Sequence, residues 1–444
     1  MKIKLSSLCL LIVCLFGCAK FAEESPQKQM QDENPDKAIS SDSNENSVDS
    51  YSLEDIVFVT TMAESKTSGV STEEGYYYID KRTDGVGGNI HYIDHASALD
   101  MYLSPQPNSD HGEDDESYLP SVIGGGTLFV SNEQLFFLRK GSPEYLDLYG
   151  KDALPEIIQM NLDGSRKRTV YEGDAKQQIL DGVAASKEAV YFISATTEEN
   201  FTKVFYQLLR INIKTGKDKI LYQTENPLFI IGAYADKLIC KEIICDLDKE
   251  GIERYESQRH QVFSICPQSD NRTVLYEWNQ LKNSTELVFD DTLLIISGFD
   301  QTLTKKKLNG TQETTVDLSE ILRDDNPSVY SFGCFGHWWL LYTANLDGMT
   351  GEAVYVVDIN TNEIHRVTLT YYDESKEYSM PIDVYGIMGD DFLVSTGKRI
   401  ESKSVSSPDG TTISIPRTSV EYALISTTDY LNNRPAYTSI QTQD

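Results

Sequence analysis

The chain has 444 residues, a net charge of −30 and 40% apolar residues. So acidic a surface repels nucleic acid and anionic lipid headgroups, and favours cations or basic partners. The length exceeds one compact domain, so two domains or a repeat architecture is expected.

Lys2 and Lys4 precede an apolar run of twelve residues, Leu5–Phe16, which ends at Leu15-Phe16-Gly17-Cys18. As a helix this run spans about 18 Å. A bilayer needs about 20 residues, so a cleavable export signal is the better reading. The tetrapeptide closing on Cys18 resembles the lipobox of bacterial lipoproteins, with Phe16 bulkier than the usual small residue. The resemblance implies that residues 1–17 are removed and that Cys18 carries lipid. The chain would then be anchored on the extracytoplasmic face of a membrane. Ala19 follows the cysteine, so no inner-membrane retention signal is evident.

Residues 18–50 read as a tether. They are rich in Glu, Gln, Asn, Asp and Ser, with almost nothing large and apolar between Met30 and Val48. Such a stretch cannot bury enough surface to offset chain entropy and is expected to be disordered. A flexible chain of this length spans roughly 30 Å. Residues 51–444 form the folded domain.

From Tyr51 onward the chain reads as strand after strand. Runs of Tyr, Val, Ile, Phe and Thr are bounded by Gly, Asn and Asp, and the 26 tyrosines suit a half-buried pleated surface. Helical patterning is scarce; Leu318–Arg323 fits a single turn. One strand type, apolar after a polar turn, recurs seven times: at Gly75–Asp80, Glu133–Leu138, Lys187–Ile193, Asp236–Cys240, Asp290–Ile295, Gly336–Tyr342 and Asp390–Val394. Hairpins follow these strands. Ile157–Ser165 leads into Arg168–Tyr171, Ile211–Gly216 into Lys219–Tyr222, Val262–Ile265 into Thr273–Tyr276, and Val354–Asn362 into His365–Val367. Repeats of about 40–55 residues with roughly four strands each are the mark of a β-propeller. The prediction is an all-β, closed propeller of six or seven blades, with seven favoured by the strand count. Closure is expected to pair Leu53–Thr61 with strands near Tyr422–Ile425.

Tyr77-Tyr78-Ile79-Asp80 resembles the Tyr-Trp-Thr-Asp strand of low-density-lipoprotein-receptor-type propellers. Ile158–Ser165 resembles the strand and turn that accompany it. The resemblance implies a binding or scaffold role and brings no catalytic residue with it.

Candidate site residues are few. His91 and His95 share a face of a regular strand, and the polar loop Asp110–Glu116 follows. His91, His95, Asp110 and Asp114 are therefore candidate metal ligands of the N and O type, although the spacing of a calcium loop or a zinc helix is missing. Trp338 and Trp339 are adjacent and face opposite sides of a strand. One should pack between blades, and the other is a candidate aromatic platform for a sugar or peptide. Glycines at 85, 87, 88 and 124–126 lack the Lys-Ser/Thr of a phosphate loop and read as turns. Gly-x-Ser-x-Gly is absent. Cys240, Cys245, Cys266 and Cys334 are irregularly spaced and read as buried free thiols. No cofactor is implied.

Three functions remain open at this point. The first is an anchored binding or scaffold module for a protein or carbohydrate ligand. The second is a propeller lyase or glycosidase with its site in the central funnel, which paired, pKa-shifted carboxylates would mark. The third is a structural component of the envelope.

Overall fold

A computed structural model describes residues 55–60, 69–82, 86–104, 106, 109–197, 203–247, 253–269, 271–279, 284–319, 321–322, 328–344, 350–373, 378–406 and 412–442. The export signal, Cys18 and the tether lie outside the described residues. The ring comprises residues 53–244 and 259–444. The tip of one hairpin, within residues 245–258, belongs to a separate unit, in which the Asp246 N–H donates to Ser257 Oγ at 2.9 Å.

The ring has seven blades, as the seven recurring strands require. Blade 1 holds Val70–Ser71, Gly75–Lys81, Gly88–Asp94 and Leu99–Tyr102. Blade 2 holds Gly126–Ser131, Gln134–Arg139, Glu156–Asn161 and Arg168–Glu172. Blade 3 holds Gln177–Ala185, Ala189–Thr197, Val204–Asn212 and Asp218–Thr224. Blade 4 holds Leu228–Tyr234, Lys237–Leu247, Glu253–Cys266 and Asn271–Asn279. Blade 5 holds Ser284–Phe289, Thr292–Ser297, Thr302–Lys307 and Glu313–Asp317. Blade 6 holds Ser328–Phe335, Trp338–Ala344, Thr350–Asp358 and Ile364–Val367. Blade 7 holds Val384–Met388, Asp391–Ser406, Thr412–Ser426 and Thr438–Ser439. Within each blade, consecutive strands pair antiparallel from the innermost outward.

Every recurring apolar run became the second strand of a blade. The reason is burial on both faces. In blade 3, Val190 and Phe192 pack against blade 2, while Tyr191 and Ile193 pack against blade 4. Alternate residues point to opposite sides of a strand, so a strand packed on both sides is apolar throughout. Seven apolar clusters result, one at each junction between neighbouring blades. Outer strands face water and alternate, as Arg168–Glu172 does with Val170 alone buried.

Closure differs from the sequence expectation. Val57–Thr60 does not join blade 7. It pairs antiparallel with the innermost strand of blade 3, with Val57 opposite Ala185. The strand therefore lies on the inner edge of that blade, toward the ring axis. Ile56 and Phe58 pack into the junction of blades 3 and 4, and Val59 into that of blades 2 and 3. Apolar side chains with a buried niche on each side outweigh a place at the end of the chain. The C-terminus closes the ring instead. Thr438–Ser439 pairs with Leu424 and Ala423 of blade 7, and Gln441–Thr442 then runs parallel to Leu99–Tyr102 of blade 1. Gly386 brings the two blades together near the axis. A Cβ there would lie 2.8 Å from the Cβ of Ser71.

Two short helices escaped the sequence reading, Leu146–Tyr149 and Thr427–Leu431, the latter capped by Ser426 Oγ, which accepts from the Asp429 N–H at 3.1 Å. Leu318 makes the expected single turn, its carbonyl accepting from the N–H groups of Ile321 and Leu322. Among the described residues, no helix is long and apolar enough to cross a membrane.

Candidate functional site

The antiparallel order gives the ring two unlike faces. Connections between first and second strands all emerge on one side, which we call the turn face. Connections from second to third strands, and from each blade to the next, emerge on the other, the loop face. The first-to-second turns of the turn face are two or three residues long, whereas the third-to-fourth connections, which emerge on the same side, run from four residues to the eleven of residues 427–437. Asn132 and Glu133 both have positive φ, 50° and 59°. Ala235, Asp290, Gly336 and Gly389 hold φ of 53°, 49°, 59° and 57° at the equivalent place. Such angles suit the tight turns that match strand twist.

The loop face carries longer elements. In blade 2, residues 140–155 form a helical insert. The hairpin Thr370–Asp373 and Tyr378–Pro381 stands between blades 6 and 7. In blade 7 the second and third strands continue paired as far as Ser406 and Thr412. These elements are rigidly supported. Arg139, 4% exposed, donates from Nε to Leu154 O at 2.7 Å and from Nη2 to Glu156 Oε2 at 3.0 Å. Lys398 Nζ lies 2.6 Å from Asp383 Oδ2, and Tyr371 OH donates to the same oxygen at 3.3 Å. Burial alone would lower the Lys398 pKa; its bonds to Asp383 and Tyr371 outweigh that and raise it.

Large apolar side chains are exposed mainly on this face. Tyr145 and Leu148 lie on the blade 2 insert, Phe299 in the second-to-third turn of blade 5, Tyr330 near the loop-face end of its strand, Tyr372 on the hairpin and Ile400 on the blade 7 extension. Leu148 is 70% exposed. Among the described residues, no turn of the turn face exposes a large apolar residue. The turn face does hold an open cavity of about 600 Å³ where blades 1, 6 and 7 meet, bordered by Glu73, Phe335, Ile387 and Asp390.

The expected metal ligands are not brought together. His91 is buried, with Nδ1 3.2 Å from Asp100 Oδ1; Tyr78 OH donates to the other Asp100 oxygen at 2.7 Å. His95 reaches the opposite way, its Nε2 3.1 Å from Asp391 Oδ2 of blade 7. Asp110 accepts from the Gly112 N–H, and Asp114 is exposed. Among the described residues, no three His, Cys, Asp or Glu side chains are grouped to hold a metal ion. Trp339 is fully buried between blades 5 and 6, its Nε1–H donating to Ser331 Oγ at 3.0 Å. Trp338 is half-buried against the junction of blades 6 and 7, with the rings of His337 and His365 beside it. No disulfide joins the four cysteines. Cys240 is buried as expected, whereas Cys245, Cys266 and Cys334 are only partly so.

Sequence reading missed two polar clusters. In the first, Glu286 is buried at the junction of blades 4 and 5, with Lys241 Nζ at 2.6 Å and Ser284 Oγ donating at 2.9 Å. Burial would raise its carboxyl; Lys241 and His260 overcome this and hold it at about 2. Buried His260 lies 3.9 Å from Glu286, too far to hydrogen-bond, and burial pushes its pKa down. In the second, Lys167 donates to the carbonyls of Tyr118, at 2.7 Å, and Glu116, and burial brings its pKa to about 8. Both clusters join residues far apart in the chain, so no local spacing announces them.

Asp115, Asp163, Glu286, Asp291, Asp317 and Asp358 have pKa values below the ordinary range. Asp115 shows the physical reason. Burial would raise it, but the hydroxyls of Ser109, Ser117 and Ser104 and the Ser117 N–H hold it ionised.

No protein-family model matches the chain, and no curated protein sequence matches it. Solved structures do resemble it. The oligogalacturonate lyase of Vibrio parahaemolyticus is 12% identical with a TM-score of 0.47, over 77% of this chain and 88% of that one. A puromycin hydrolase is 10% identical with a TM-score of 0.48, over 85% of this chain and 54% of that one. An uncharacterized protein of Listeria monocytogenes is 12% identical with a TM-score of 0.37, over 70% and 80% of the two chains. All three are too distant to carry residues or chemistry across.

Proposed function

We propose that this chain is a lipid-anchored, extracytoplasmic binding module whose loop face docks a protein partner. The observation that supports it is the gathering of exposed Tyr145, Leu148, Phe299, Tyr330, Tyr372 and Ile400 on one face. Exposed apolar and aromatic side chains on a rigid scaffold are what interface centres are made of. The net charge of −30 selects a partner with a basic rim. Anchoring rests on the lipobox at Cys18. Cys18→Ala should abolish fatty-acid labelling and release the protein; unchanged labelling would refute the anchor. For the face, a photo-crosslinking residue would be placed in cells at position 148, 372 or 220, the last on an outer strand. Positions 148 and 372 should give one discrete adduct that position 220 lacks. The adduct's partner, once purified, should bind the purified ring in a salt-sensitive manner. Equal labelling at all three positions would defeat the reading.

A further inference from the structure

The strand Val57–Thr60 runs against the common direction of the innermost strands. Val57 lies opposite Ala185 and Thr60 opposite Val183. Ala185 is the last residue before a turn of the turn face, so the strand starts at that face and climbs toward the loop face. A second contact fixes the same point. The Ile56 N–H donates to Ala235 O at 2.7 Å, and Ala235 sits in the first turn of blade 4, again on the turn face. Ile56 is 4% exposed, so this foot of the strand is built into the ring.

Chain continuity then puts the covalent attachment of everything before Asp55 at the turn face. We propose that the ring is held from its turn face and turns its loop face away from the bilayer, toward a basic-rimmed protein rather than lipid headgroups. This rests on the lipid-anchor reading. An attachment at the turn face leaves the exposed apolar residues of the loop face accessible.

Fluorescence transfer to acceptor lipid tests the orientation. The full-length lipoprotein would be reconstituted into neutral phosphatidylcholine vesicles containing the acceptor. A donor dye would sit on an azide-bearing residue at position 214, on the turn face, or at position 148, on the loop face. Donor quenching at 214 should exceed that at 148 by at least twofold. The contrast should widen when residues 25–46 are deleted to shorten the attachment. Equal or reversed quenching in vesicle-bound protein would overturn the orientation while leaving the anchor intact. Protein that fails to float with the vesicles would overturn the anchor reading, and the orientation with it.

Discussion

The turn face and the loop face are made by the same strands, yet they obey different constraints. In the first-to-second turns of the turn face the chain must reverse in two or three residues, so sequence there is dictated by backbone geometry. Positive φ at Asn132, Glu133, Asp290 and Gly389 is one sign of this. On the loop face nothing dictates connection length, and three elements have grown there without disturbing the blades. That freedom is why binding residues gather on loops held by a rigid scaffold. The difference teaches where to look: changes near the turn face should register in stability, and changes on the loop face in recognition.

The largest effect should come from the foot of the N-terminal strand. Ile56 packs among Tyr191, Ile193, Leu238 and Phe263 at the junction of blades 3 and 4. Ile56→Ala should cost about 2–5 kcal/mol, the range for truncating a buried aliphatic side chain. Urea denaturation of the folded domain would measure it. A loss below about 1 kcal/mol would mean that the strand only lines the ring and does not knit its blades.

Much of the fold was legible, and for a physical reason. A strand packed on both sides must be apolar throughout, so Gly75–Asp80, Lys187–Ile193 and five similar runs announce themselves and count the blades. The hairpin at Asn161-Leu162-Asp163-Gly164 is legible because its turn needs positive φ, which Gly164 takes at 81°. Closure was not legible. Val57–Thr60 is a plausible strand wherever an unpaired edge exists, and no local signal says that blade 3 offers one. The candidate site was less legible still. Tyr145-Leu146-Asp147-Leu148-Tyr149 shows apolar residues without strand alternation, a hint that this segment is no strand. Nothing in it says that Leu148 stays in water. His91 and His95 look like one site in the sequence, but His91 pairs with Asp100 on the next strand of its own blade and His95 with Asp391 of blade 7.

A middle effect should appear as pH dependence at the junction of blades 4 and 5. The Glu286 carboxyl sits at about 2, below its ordinary 4.5, so its contribution is complete above about pH 4.5 and is lost as pH falls toward 2. His260 is also depressed, from 6.5, because burial disfavours the imidazolium. The unfolded chain then binds the proton that the folded one resists, so stability falls as pH drops below 6.5. The urea midpoint should decline first below pH 6.5 and again below about 4.5. His260→Gln should flatten the upper decline and leave the lower one present but smaller, because Lys241 still holds the Glu286 carboxyl down. Parallel curves for the two proteins between pH 7 and 5 would show that His260 is not the group responsible.

The smallest effect on stability should come from the residue with the most to say about function. Leu148 is 70% exposed, so Leu148→Asp removes little packing and buries no charge. Surface substitutions of this kind usually stay within about 0.5 kcal/mol. The insert beneath it is held by other residues, through the Arg139 bonds to Leu154 and Glu156 and the Ser121 hydroxyl donating to Asp152 O at 2.6 Å. The melting curve should therefore be unchanged. Partner binding should weaken at least tenfold, because a carboxylate would have to be desolvated at the centre of an apolar contact. A carboxylate also meets a basic rim favourably at long range. The loss should thus appear in the dissociation rate and spare the association rate. A variant that binds as tightly as the parent would move the docking surface off the blade 2 insert. One that melts early would show that Leu148 serves the fold, and would blur the contrast between the two faces.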